Sequence, residues 1–205
     1  MPVNEAAAKA ELRSRVRTSR AARTADDRAR AGTALAATLL AMPQIATARV
    51  VAAYFGVRRE PPTTEFLDAV ITADRRVLLP ILRDDGDLDW ADFTRQGKLT
   101  EGPLGLHEPT GPPLGVDAIA SADVVIVPAL AVDRAGRRLG QGGGGYDRAL
   151  RRVPAGVHII AVVFDDELVD EVPVEGHDVV VTMAVTPSRV VAIGPDTTNG
   201  PVLGG

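Results

Sequence analysis

Apolar positions in the first forty residues recur at helical spacing. A helix is predicted from Asn4, its cap, to about Arg23, with Leu12 and Val16 one turn apart on its inward side. Lys9, Arg13 and Arg17 follow one another at i, i+4 and i+8, so they share one basic stripe on that helix. Thr24 followed by Asp27 forms a capping-box pattern, opening a second helix that points Leu35 and Leu39 inward and stops at Pro43.

Beyond Pro43 the period changes. Arg49–Phe55 (RVVAAYF), Arg76–Pro80 (RVLLP), Asp123–Val127 (DVVIV) and Val157–Phe164 (VHIIAVVF) are β-branched, nearly continuous apolar runs of strand length. Leu88, Trp90 and Phe93 mark a less regular edge strand, and Val179–Val181 and Arg189–Ile193 two further short ones. Thr63–Ala73 and Tyr146–Arg152 read as helices between strands. Residues 101–115 hold four prolines and four glycines and read as loop, and 129–145 shows no apolar periodicity. Strands buried on both faces and alternating with helices predict an α/β fold. The expected form is a single three-layer domain over residues 1–193, a mainly parallel sheet flanked by helices on both faces, with 194–205 as a flexible tail.

Composition narrows the chemistry. The chain has 205 residues, 45% hydrophobic and 24% charged, which suits one globular domain, and with 3% aromatics its core must be aliphatic. Zero cysteines exclude disulfides, thiol catalysis and Cys-ligated zinc. A net charge of −4 argues against a general nucleic-acid binder, yet residues 1–30 carry eight basic and four acidic groups. Apolar runs of about eight residues are too short to span a bilayer, and the start of the chain matches neither a secretory signal nor a transit peptide. The expectation is a cytoplasmic monomer with no nucleic-acid or membrane partner.

The sharpest local feature is Arg138-Leu139-Gly140-Gln141-Gly142-Gly143-Gly144-Gly145-Tyr146-Asp147-Arg148, in which five of the six positions 140–145 are glycine. Such a run loses much backbone freedom on ordering, which suits positive φ or close approach of a ligand to bare amides. Successive N–H groups form an anion cradle, and Arg138 and Arg148 add positive charge. The bland alternative is a flexible surface turn, as a solvated face is for the basic stripe. The pattern GxxxxGK[ST] is absent. GxGxxG does fit Gly140, Gly142 and Gly145 with Asp165 twenty residues on, but eleven residues separate the run from Pro128, whereas a dinucleotide fold places its glycines directly after a strand.

Taken together, the motifs resemble the 5-formyltetrahydrofolate cyclo-ligase (methenyltetrahydrofolate synthetase) family, whose signature is a VPGxxFD segment followed by RLGxGxGYYDR. Here Val127–Asp133 and Arg138–Arg148 stand at those places. Lys9–Arg13 (KAELR), Tyr54–Thr64, Leu79-Pro80, Gly105–Pro109, and His177-Asp178 through Thr186 match further elements, over about 190 residues in order. The resemblance implies ATP-dependent closure of 5-formyltetrahydrofolate to 5,10-methenyltetrahydrofolate, with Mg²⁺ as cofactor and ADP and phosphate released. Non-catalytic folate binding and dinucleotide-dependent redox chemistry are the alternatives.

The resemblance also implies roles. Lys9, Ala10, Glu11, Leu12 and Arg13 form the first nucleotide segment. Arg138, Gly140, Gln141, Gly142, Gly143, Gly144, Gly145 and Tyr146 form the second, with Arg138 and Tyr146 acting in catalysis. Phe55, Glu60 and Gln141–Gly145 would contact the folate, with Glu60 accepting from the pterin's amino-pyrimidine edge. Asp147 and Asp178 would hold the metal; as plain readings, Asp147 satisfies a helix N-terminus, and Asp178 and Glu60 are a loop and a strand-end carboxylate. His107 and His158 read as structural. Three positions depart from the family pattern: Gly145 replaces the first tyrosine, Gln141 a tyrosine or arginine, and Thr182 a second aspartate.

Overall fold

A computed structural model describes residues 5–94, 96–173 and 179–193. The expectations for Asn4, Asp178 and the 194–205 tail lie outside these residues.

In chain order the elements are α1 (Glu5–Ala22), α2 (Ala25–Leu40), α3 (Pro43–Thr47), β1 (Val50–Ala52), α4 (Thr64–Thr72), β2 (Arg76–Leu82), β3 (Leu88–Phe93), β4 (Leu99–Glu101), β5 (His107–Pro109), β6 (Val124–Pro128), β7 (Ala131–Asp133), β8 (Arg138–Leu139), α5 (Gly145–Leu150), β9 (His158–Val162), β10 (Leu168–Val169), β11 (Met183–Val185) and β12 (Val190–Ala192). The capping box forms as expected: the Thr24 hydroxyl accepts from the Asp27 amide at 3.1 Å and the Thr24 amide donates back to the Asp27 carboxylate at 3.0 Å.

The main sheet has seven strands in the order β12-β11-β9-β6-β1-β2-β3. Its five inner strands run parallel, and β3 and β12 close the edges antiparallel. Alternation along each strand separates two cores. Val124 and Ile126 face the layer of α2, α3 and α4 and meet Leu35, Leu39, Ile45, Phe66 and Leu67. Val125 and Val127 face the opposite layer, built from α5, Trp90 and the 3-10 turn Val116–Ser121 around Ile119. The mainly parallel, two-sided architecture is as expected, with the second covering layer lighter in helix than the first.

Three local expectations are corrected. Within the proline- and glycine-rich 101–115 segment, β4 and β5 pair as an antiparallel ladder, because alternate residues can pair across a turn even where prolines punctuate it. The 129–145 segment contains β7 and β8, which with β10 make a separate three-stranded sheet. The strand expected at Val179–Val181 forms instead at Met183–Val185, where β9 and β12 supply partners on both sides. Helix α1 packs Leu12 and Val16 on the small sheet, against Leu130, Ala131, Leu139 and Val172. Its basic stripe thereby turns toward the loop that follows β8. Among the described residues no helix is long and apolar enough to cross a membrane.

Candidate active site

A cleft of about 1100 Å³ opens between α1, the glycine loop, the β2–β3 turn and the segment after β1. Lys9, Arg13, Arg17, Arg20, Arg58, Arg59 and Arg138 line it, and among the described residues two acids, Glu60 and Asp147, do so too. This concentration of positive charge in a chain of net charge −4 marks an anion site.

Helical geometry decides what α1 contributes. Side chains four residues apart share a face, so the burial of Leu12 and Val16 leaves Lys9, Arg13 and Arg17 along the cleft. Ala10 and Glu11 are exposed and Leu12 is in the small core, and none of these three expected nucleotide residues lines the cleft. Arg13 Nε donates to the Gly140 carbonyl at 3.0 Å, and Arg17 Nη2 to Gln141 Oε1 at 2.9 Å. Further along, Arg20 is buried in a two-pronged pair with Glu167 at 2.7 and 2.8 Å and also donates to the Ala129 carbonyl. Arg20 guanidinium and the Arg23 guanidinium lie over the Phe164 ring. The helix is thus anchored at its far end by Arg20, and Arg13 and Arg17 tie it to the glycine loop.

The glycine loop is ordered by its neighbours. Gly142 and Gly144 take φ of +104° and +68°, conformations that an L side chain rarely adopts. Among the described residues, no backbone amide of 140–144 donates a hydrogen bond within the protein. These amides are open to an incoming acceptor. Gly140, Gln141, Gly142, Gly143, Gly144 and Gly145 all line the cleft, with Tyr146 and Asp147 directly after them.

Upstream, the β7–β8 turn delivers Arg138. Buried Asp133 accepts from the amides of Ala135, Arg137 and Val172 and from Arg137 Nε, fixing the turn. Arg138 is itself buried and pairs through Nη2 with Asp147 Oδ1 at 2.5 Å, while its Nε finds no acceptor among the described residues. The other Asp147 oxygen has no partner among the described residues. One carboxylate oxygen beside a cationic phosphate cradle fits Mg²⁺, which keeps most of its waters and takes the rest of its shell from phosphate. The described residues contain no cluster of three His, Cys, Asp or Glu side chains that could hold a metal by themselves, and Asp178 lies outside them.

The opposite wall is built differently. Tyr54 is buried and donates to the Pro61 carbonyl at 3.1 Å; Thr63 Oγ1 donates to the Tyr54 carbonyl and accepts from the Gly56 amide. A Cβ on Gly56 would lie 2.4 Å from the Pro61 carbonyl oxygen, so glycine alone fits. This turn presents Glu60 to the cleft, its carboxylate accepting from the Val57 amide at 3.2 Å. Burial lifts the Glu60 pKa above the ordinary carboxylate value, with the Val57 hydrogen bond and the charges of Arg20 and Arg58 pulling the other way. Phe55 does not line the cleft: its ring packs edge-on against Phe93 and tilts against His107, 5.5 Å away.

Tyr146 closes the floor. Its ring touches both cores, and its hydroxyl is buried with no hydrogen-bond partner among the described residues. Burial pushes its pKa far above the ordinary phenol value, Glu60 adding to this and Arg138 opposing it, so the neutral O–H is the form present. A buried, unpaired hydroxyl in a ligand-sized cleft is a polar group waiting for a ligand atom. Arg148 is not among the lining residues and binds the Gly86 and Gly143 carbonyls, and Asp165 binds Thr186 and Ser188. With the glycines placed after the two-residue antiparallel β8 rather than after a parallel strand, the dinucleotide pattern has neither its strand nor its acid in position.

Sequence reasoning missed Arg58, Arg59 and Leu106, which reach the cleft from the β1–α4 and β4–β5 connections. It also missed Arg20, whose role depends on a partner 147 residues away. The pair Arg58-Arg59 next to Glu60 was the one available signal. His107 lies tilted against the Phe55 ring and His158 Nδ1 lies 3.4 Å from the Thr182 hydroxyl, both contacts outside the cleft lining.

Comparison with known proteins gives a consistent picture. The profile of the 5-formyltetrahydrofolate cyclo-ligase family matches residues 5–187. The 5-formyltetrahydrofolate cyclo-ligase of Mycolicibacterium smegmatis is 47% identical over 146 residues, covering 69% of this chain and 75% of that protein. The Escherichia coli K12 enzyme of the same name is 32% identical over 178 residues, 85% of this chain and 98% of that one. Among solved structures, a 5,10-methenyltetrahydrofolate synthetase from Aquifex aeolicus superposes with a TM-score of 0.79 at 25% identity, covering 96% of both chains.

Proposed function

The chain belongs to the 5-formyltetrahydrofolate cyclo-ligase family, and from that membership we propose that it closes 5-formyltetrahydrofolate to 5,10-methenyltetrahydrofolate at the expense of ATP. The observation that carries this reading is the row of unpaired loop amides at 140–144 facing Lys9, Arg13, Arg17 and Arg138 across one cleft. Amides and guanidinium groups together suit a triphosphate, because both act on it without reorganisation when the phosphoryl group moves.

The formyl oxygen cannot leave as hydroxide. It attacks the γ-phosphorus, the bond to the β-phosphate oxygen breaks, and ADP departs. The carbon, now bearing a phosphate ester, is attacked by the neighbouring folate nitrogen N10. That nitrogen loses its proton, phosphate leaves with its electron pair, and the five-membered ring carries the resulting cation. Atoms balance as ADP, phosphate and the methenyl product.

In this reading Arg138 steadies the charge on the transferring phosphoryl group, and the Tyr146 hydroxyl donates to a ligand oxygen at the cleft floor. Glu60 accepts from the amino-pyrimidine edge of the pterin, while Phe55 supports that turn from behind. The loop Gly140–Gly145 lies between nucleotide and formyl group. Asp147 would hold Mg²⁺, which when bound neutralises phosphate charge. We read the enzyme as a monomer acting in the cytoplasm on small molecules. The test is direct: protein, ATP, Mg²⁺ and 5-formyltetrahydrofolate are mixed and the near-ultraviolet absorbance of the methenyl product is followed. A saturable gain in absorbance supports the assignment, and folate binding with no gain makes the chain a sequestering protein instead.

A further inference from the structure

Arg148 is a signature residue left without a part in the chemistry. It sits on α5, half-buried and outside the cleft lining. Its Nη2 donates to the Gly86 carbonyl at 2.5 Å and to the Gly143 carbonyl at 3.2 Å, while Nε is buried with no acceptor among the described residues. No carboxylate lies within ion-pair distance among the described residues. A partly buried cation whose direct contacts are two carbonyl dipoles, with the Asp87 charge acting on it only from beyond contact, is held by geometry rather than by an ion pair.

The backbone around it is shaped to fit. Gly86 and Gly144 have φ of +79° and +68°, and a Cβ on either would stand 2.9 or 3.0 Å from the Arg148 guanidinium. One guanidinium therefore joins the β2–β3 turn to the glycine loop. In a trans peptide the C=O and the following N–H point in opposite directions. A Gly143 carbonyl drawn to Arg148, outside the cleft, leaves the Gly144 N–H aimed to the other side, where Gly143 and Gly144 line the cleft.

We propose that Arg148 is a positioning residue that fixes the 143–144 peptide so that its N–H is presented to the bound nucleotide's phosphates. This rests on the cleft being a nucleotide site, as the preceding reading holds. Arg148 itself touches no phosphate.

The experiment is calorimetric titration of a non-hydrolysable ATP analogue into the full chain. Arg148→Ala should weaken binding about tenfold while leaving folate affinity, measured without nucleotide, unchanged. Guanidinium ion at a non-denaturing concentration should restore part of the loss by occupying the vacated space. Arg148→Lys keeps the charge, but its shorter stem leaves the nitrogen short of the point where Nη2 meets both carbonyls; it should fold normally and still bind several-fold more weakly. Arg152→Ala, just past the end of α5, breaks the neighbouring pair with Asp87 and should lower thermal stability with analogue affinity intact. Wild-type affinity in both Arg148 variants overturns the proposal, as does an equal loss in Arg152→Ala. If the wild type binds the analogue but forms no methenyl product, the proposed reaction fails while the role of Arg148 is still decided by the affinities.

Discussion

The two walls of the cleft are ordered by opposite means. The wall formed by the Tyr54–Thr63 turn is fixed by local contacts: a buried tyrosine, a threonine hydroxyl and two backbone carbonyls within ten residues hold Glu60 in place. The wall formed by α1 and the glycine loop is fixed from far away, through Arg20–Glu167, Arg13–Gly140 and Arg17–Gln141, each spanning more than 100 residues. Local hydrogen bonds form with little loop closure, whereas the distant ones depend on the whole fold. The first wall is therefore pre-formed. The second has exposed contacts that an anion can replace, as the Arg17–Gln141 bond shows.

The largest expected effect falls on the second wall. Arg138→Ala removes a buried cation beside Asp147 and should lower kcat/KM for ATP about 100-fold, about 2.7 kcal/mol of transition-state stabilisation, with KM for the folate nearly unchanged. Steady-state titration of each substrate at saturation of the other reads this. An unaltered ATP dependence would break the division of labour between the walls.

The next effect falls on the first wall and is structural. Gly56→Ala places a methyl group 2.4 Å from the Pro61 carbonyl oxygen and 3.3 Å from Pro62 Cα, both backbone atoms that cannot swing aside. Chemical denaturation should show a loss of about 2 kcal/mol. Stability equal to wild type would mean the turn yields easily and is not pre-formed.

How far this contrast could be read from the sequence follows the same division. Apolar runs announced β1, β2, β6 and β9, and Thr24–Asp27 announced α2, because those signals are local. β7 and β8 are two or three residues long and arise only because Ala131 pairs with Leu139, a register that no local period encodes. Gly140–Gly145 and the stripe Lys9, Arg13, Arg17 were legible as an anion site from residue type and spacing, and the structure brings both to one cleft. Arg20 was one arginine among 21 until Glu167 distinguished it. Phe55 lies five residues before Glu60 in sequence, but it follows the end of β1 at Ala52, and its ring packs on Phe93 and His107 rather than in the cleft.

A smaller effect separates recognition from charge. Glu60→Ala should raise KM for the folate about tenfold with the ATP KM unchanged, the loss of one charge-assisted hydrogen-bonding group. pH sharpens it. Burial raises the Glu60 pKa, so as pH falls through that raised value the carboxylate takes up a proton and can no longer accept two N–H bonds. Wild-type folate affinity should fall across that window, while Glu60→Gln, weaker throughout, should show no such step. Parallel profiles for the two proteins would remove Glu60 from the folate wall.

The smallest test lies at the seam, the β2–β3 turn whose Gly86 and Leu88 line the cleft between the two walls. Asp87 in that turn is held by Arg152 at 2.6 and 3.1 Å, and those bonds, together with the Leu88 amide, hold its pKa below the ordinary 3.8 against the cost of burial. A depressed carboxylate pKa stabilises the fold fully above the unfolded value and loses that contribution as pH falls through the folded one. Asp87→Asn should thus cost about 1 kcal/mol at neutral pH, for a pair that is mostly shielded but not sealed from water. The gap should close as the pH drops below the folded value, where the wild-type carboxyl is also neutral. Urea unfolding at a series of pH values measures both ends. A gap that persists unchanged into acid would assign the loss to packing of the turn rather than to its charge, and the seam would then resemble the locally ordered wall more than the cationic one.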